Sequence, residues 1–132
     1  MKNDLQERLI DYAVRIINVS GVLINTIAGR HVAAQILRSG TSAAPNYAEA
    51  MSAESRNDFI HKIQIALKEL RETDVWLKLI QRAKLIETPD SLQTLLTETN
   101  ELISILVASV HTARNNQGNR LTQRGQQGTT LE

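Results

Sequence analysis

SRNDFIHKIQIALKELRETDVWLKLIQR, residues 55–82, is the stretch whose reading decides the fold. Ser55-Arg56-Asn57-Asp58 opens it in the pattern of a capping box, with Asp in place of the usual Glu. Ile60, Ile63, Leu67, Leu70 and Leu77 then recur at helical spacing and share one face. Asp74 falls on that same row, where an aliphatic side chain is expected, and a carboxylate there needs a partner if it is buried. The spacing predicts a long amphipathic helix.

Three further helical patterns lie on either side. From Asp4 to about Ile27, Leu5, Leu9, Ala13, Ile16, Ser20, Leu23 and Ile27 form one face, and Ile10, Val14, Ile17 and Ile24 form a second row about 100° round it. That apolar arc is wider than one bundle face needs and, with Trp76 and Leu79 off the main stripe of residues 55–82, suggests surface that an isolated bundle leaves uncovered, unless helix packing or the tail covers it. Residues 30–39 read as helix anchored by Val32, Ile36 and Leu37, until Gly40 and Pro45 interfere. Proline lacks an amide hydrogen and disfavours helical geometry at Ala44, but a first turn tolerates it, so Ser42 is expected to cap a restarted segment. A kinked or two-piece second helix follows, with Gly40 and Pro45 setting the kink and Asn46 and Glu49 satisfying freed backbone groups. On the C-terminal side, Thr88-Pro89-Asp90 supplies a cap candidate, a first-turn proline and an early acid. Leu92, Leu95, Leu96, Leu102, Ile103, Leu106 and Val110 mark the last helix.

No strand pattern separates these segments, and their links are short. The expected fold is all-α: one antiparallel up-down-up-down four-helix bundle over residues 1–115, with a kinked second helix and a flexible, disordered polar tail over 116–132. Leu, Ile and Val supply 36 residues and Phe, Trp and Tyr only four, so the interior is aliphatic. No cysteine is present, which removes disulfides and thiolate metal sites. The charged beginning of the chain and the lack of a long apolar run favour a cytoplasmic protein without a membrane anchor.

Fifteen Lys and Arg against fourteen Asp and Glu leave a net charge of +1, so any nucleic-acid role must come from local patterning. The candidate is a row on the third helix: Lys68, Arg71, Lys78 and Arg82 share one face, and His61 and Gln64 extend it. Cations at turn-by-turn spacing can follow phosphates. The plainer reading is a solvated face whose charges pair with Glu69 and Glu72. The last helix carries Asp90, Glu98 and Glu101 with no Lys or Arg between Asp90 and Val110, an opposition that suits packing between subunits. Arg114, Arg120 and Arg124 offer a second basic element.

Chemistry is thinly supported. Asp58-x-x-His61 is half of the carboxylate–histidine arrangement of di-iron bundles and has no second copy, while His31, His61 and His111 stand apart, so no metal or cofactor is expected. Ser39, Thr41 and Ser42 have no histidine base at a recognisable spacing, and Gly40 sits in no phosphate-binding fingerprint. No catalytic residue is assigned.

The run Arg38-Ser39-Gly40-Thr41-Ser42-Ala43-Ala44-Pro45-Asn46-Tyr47-Ala48-Glu49-Ala50, followed by residues 58–62 and 66–77, resembles a bacterial four-helix-bundle family over roughly residues 5–115. That family includes proteins encoded in intervening sequences of large-subunit ribosomal RNA genes. The resemblance implies a non-enzymatic bundle forming a ring-shaped homopentamer. The accessory protein of diversity-generating retroelements, similar in fold, partners a reverse transcriptase and nucleic acid. The expected partners are therefore copies of this chain, RNA or DNA, and a polymerase-type protein. The alternative is an interaction module that contacts protein only.

Overall fold

A computed structural model describes the backbone of residues 4–130 apart from residue 88, and the side chains of residues 4–87 and 90–116. Five helices follow in order: α1 (Asp4–Val22), α2 (Ile27–Gly40), α3 (Ala43–Met51), α4 (Arg56–Arg82) and α5 (Pro89–Thr130), with no strand among the described residues. α2 and α3 lie end to end as one broken arm, so the chain makes four arms. α1 packs against α2, α3 and α5, and α4 packs against the same three, as an up-down-up-down bundle requires.

The core is the aliphatic interior that the periodicity demands. Leu9 and Ile16 of α1, Ile36 of α2, Ala43 of α3, Ile63, Leu70 and Leu77 of α4, and Leu95, Leu102 and Leu106 of α5 are all buried. Each such aliphatic larger than alanine contributes roughly 1.5–3 kcal/mol by leaving water, most of it offset by the entropy of ordering the chain. Ser55 caps α4: its Oγ accepts a hydrogen bond from the Asp58 amide at 3.0 Å.

One helix boundary differs from the sequence expectation. α1 ends at Val22 rather than near Ile27, because Thr26 is an N-cap whose Oγ1 accepts from the Gly29 amide at 2.9 Å. Ile27 therefore begins α2 at 82% exposure instead of continuing the core row. Gly29 lies inside α2, where a Cβ would stand 1.8 Å from the Leu23 carbonyl oxygen. At the far end, the backbone of α5 is helical to Thr130. The side chains of 117–130, on which the expected flexible tail falls, lie outside the described residues, as does Thr88.

The break between α2 and α3 comes where expected, by partly different means. Ser42 holds the N-cap position of α3 at φ −81° and ψ −30°, already helical, and makes no side-chain cap. Asn46 Nδ2 instead donates to the Ser42 carbonyl at 2.9 Å and lies 3.0 Å from Ser42 Oγ. Glu49, expected to serve the backbone here, pairs across to Lys62 of α4 at 2.7 Å. Gly40 has no positive φ; its Cβ would meet Ile16 Cγ2 at 2.6 Å, so its role is to let α1 come close.

Candidate nucleic-acid interface

α4 carries its charges on separate faces, and each face has a different fate. Glu69 and Glu72, the acids expected to neutralise the basic row, face α2. There Arg38 Nη1 donates to Glu69 at 3.0 Å and Arg38 also pairs with Glu72. Glu72 in addition accepts from Trp76 Nε1 at 3.0 Å. Asp74, the carboxylate on the core row, is largely covered and has its partners: Lys78 Nζ at 2.8 Å and the Asn100 amide at 3.4 Å. Lys78 is thus the member of the predicted row that is held by an acid.

Lys68, Arg71 and Arg82 remain exposed and form no ion pair among the described residues. Two of them meet α5. Antiparallel packing sets His111 and Arg114 beside Lys68 and Arg71 around a cleft of about 370 Å³, with Gln64 at its rim. Leu67 and Val110, both buried, and Val107, which is exposed, complete its lining. His111 and Arg114 were not part of the predicted row, since no spacing within one helix reveals which residues an antiparallel neighbour brings alongside. The N-terminal half of the row thus belongs to a two-helix basic cleft, and the C-terminal half, Lys78 and Arg82, continues up α4 alone.

The acids of α5 have an intrachain role. Arg8 of α1 grips Glu98 with two bonds, Nε at 2.8 Å and Nη2 at 2.6 Å, and also reaches Glu101. This bidentate geometry holds the Glu98 carboxyl below its ordinary range, chiefly through the Arg8 hydrogen bond, against the opposing effect of burial. Two of the three acids singled out on the last helix, Glu98 and Glu101, are therefore paired within one chain by α1.

Opposite this charged seam, α1 presents apolar surface to solvent. Ile10, Val14 and Ile17 are 40%, 49% and 49% exposed, and Ile24 beyond the helix end is 55% exposed. These are the residues of the second apolar row. Trp76 is partly covered, with its ring edge-on to His31 at 6.0 Å, whereas Leu79 on the same helix stays exposed.

Among the described residues, no three His, Asp or Glu side chains gather to hold a metal ion, and no helix is long and apolar enough to cross a membrane. Outside the aliphatic and aromatic core, the buried polar side chains among the described residues are Ser20, Ser39, Thr73 and Thr99, none of them charged. An antiparallel all-α bundle with an uncharged core and its charge arranged outside defines the class. The family described as 23S rRNA-intervening sequence protein matches residues 1–108, and the chain belongs to that family. A solved structure of a protein with unknown function from the S23 ribosomal protein family of Bacteroides thetaiotaomicron is similar, with TM-score 0.75 and 38% identity. The similarity covers 80% of this chain and 97% of that one. No curated protein matches the chain.

Proposed function

We propose that this chain is a non-enzymatic, self-assembling helical bundle of the cytoplasm that acts as a scaffold or adaptor and contacts nucleic acid, or a polymerase-type partner bound to it, through the basic row of α4. The observation that carries the reading is the uncovered row of Ile10, Val14 and Ile17 on α1. Three half-exposed aliphatics at helical spacing make a continuous apolar strip, and such strips are costly to leave in water and mark interfaces. A second copy of the chain offers a covering surface without any further partner, and closed symmetric assemblies are the commonest outcome. The stoichiometry of five rests on the family resemblance.

Nucleic-acid contact is supported by Lys68, Arg71 and Arg82, whose charges no intrachain acid neutralises among the described residues. Lys78, already paired with Asp74, supports the protein-only alternative, in which the row serves contacts between proteins.

The test is binding to single- and double-stranded RNA and DNA across a salt series, comparing the wild type with a variant carrying glutamine at 68, 71, 78 and 82. Salt-sensitive binding that the variant loses while keeping its helicity and assembly is the expected result. No binding by either protein near physiological salt makes the protein-only module the correct account.

A further inference from the structure

The basic row of α4 and the α4/α5 cleft differ in geometry, and the difference has chemical content. Lys68 and Arg71 are three residues apart on α4, and His111 and Arg114 are three apart on α5. At 1.5 Å rise per residue each pair is separated by about 4.5 Å along its helix, and packed helices lie about 8–10 Å apart. The four backbone positions therefore stand roughly 5 by 10 Å apart, a spacing from which their long side chains can converge on one phosphate or two neighbouring ones.

The surroundings leave that patch uncompensated. No acid lines the cleft, and none of the four groups forms an ion pair among the described residues. The nearest acids in sequence on α4, Glu69 and Glu72, are turned away and held by Arg38. Buried Leu67 and Val110 and the exposed Val107 give the lining an apolar component, and cations of one sign beside low-dielectric surface focus the field on an incoming anion. Gln64 adds an amide donor at the rim. No Phe, Tyr or Trp lines the cleft, so it offers no large aromatic platform for a base.

We infer that the cleft formed by Lys68 and Arg71 of α4 with His111 and Arg114 of α5 is a binding site for closely spaced phosphate groups, read through their charge and not through any attached base. This rests on the nucleic-acid reading above and narrows it. The contact moves from the length of α4 to one end of the α4/α5 seam, and α5 becomes half of the site. Lys78 and Arg82 lie outside it. A nucleic-acid backbone and a free inorganic polyphosphate present the same chemistry.

The experiment uses the full chain with two probes, inorganic tripolyphosphate by titration calorimetry and a labelled RNA duplex by anisotropy across a salt series. Three double variants are compared with the wild type: H111Q/R114Q, K68Q/R71Q and K78Q/R82Q. All six positions are on exposed helix surface, and circular dichroism confirms that each variant folds. The expected result is that the wild type binds both probes and tripolyphosphate displaces the duplex. H111Q/R114Q and K68Q/R71Q each lose tripolyphosphate binding and lower the salt slope for the duplex by about 1–2, while K78Q/R82Q keeps tripolyphosphate binding. Wild-type binding that survives in both cleft variants but is lost in K78Q/R82Q overturns the cleft and leaves the row on α4 standing. Tripolyphosphate binding confined to the cleft without any duplex binding upholds the cleft as a site for free polyphosphate and removes nucleic acid as the partner. Failure of the wild type to bind either probe overturns both.

Discussion

At the scale of single residues, the strained positions are the informative ones. Lys84, just past the end of α4, has φ 54°, the left-handed region that glycine adopts freely. The Leu85 amide bonds the Ile80 carbonyl at 3.0 Å and the Lys84 amide bonds Gln81 at 3.3 Å, the paired closure of a Schellman turn with lysine where glycine is usual. Lys84→Gly is expected to stabilise the fold by about 0.5–1 kcal/mol, read as a higher denaturation midpoint in urea; an unchanged or lower midpoint contradicts this account of the turn. Glu98 gives a pH prediction. Because Arg8 lowers its folded pKa from the ordinary 4.5, its contribution is present above that pH and is lost as pH falls through the lower folded value. Glu98→Gln is expected to cost about 1 kcal/mol at neutral pH and to flatten the loss of stability on acidification, measured by thermal melts from neutral to acid. Little of this was legible in the sequence. Asp74 needs a partner by its place on the core row; Lys78, four residues on, stands at the spacing of a helical ion pair, whereas Asn100 is supplied only by the packing of α5. Tyr12, left off the predicted core face, is buried with its hydroxyl 2.7 Å from Thr99 Oγ1, a pairing 87 residues apart that no local pattern signals.

At the scale of helices, periodicity carried most of the information. The row of Ile60, Ile63, Leu67, Leu70 and Leu77 is buried as its spacing requires, because one stripe of a long helix has one place to go. The end of α1 was misplaced because Ser20, Leu23 and Ile27 keep the helical step across a turn, and the hydroxyl of Thr26 outcompetes that continuity by capping the next helix. The break at α2 and α3 was legible from Gly40 and Pro45, but the reason for Gly40 was not. It lies in α1, whose fully buried Ile16 occupies the space a Cβ would need. Gly40→Ala is expected to destabilise the bundle by about 1–3 kcal/mol through that clash, seen as a lower melting temperature. Gly21→Ala, where a Cβ meets nothing within 4 Å, serves as the control and is expected not to destabilise the fold.

At the scale of the whole molecule, the near-zero net charge conceals a segregated surface. Arg8 takes up Glu98 and Glu101, Arg38 takes up Glu69 and Glu72, and three of the cations left without an ion pair among the described residues, Lys68, Arg71 and Arg114, line the α4/α5 cleft. The sequence displayed the α4 half of that seam, Lys68 and Arg71, because helical spacing is local. The α5 half, His111 and Arg114, is set by which arm packs beside α4, and that is a property of the folded chain. The apolar arc of α1 was readable as too wide for one bundle, and its second row is the part left in solvent. Covering that row with another copy is the central claim, and sedimentation equilibrium of the wild type beside Val14→Glu/Ile17→Glu tests it most directly. The account predicts a wild-type mass several times the 14.7 kDa of one chain, five times if the family resemblance holds, and a helical variant that sediments as a single chain. A wild type that sediments at 14.7 kDa at every concentration tested, or a variant that assembles as the wild type does, contradicts it.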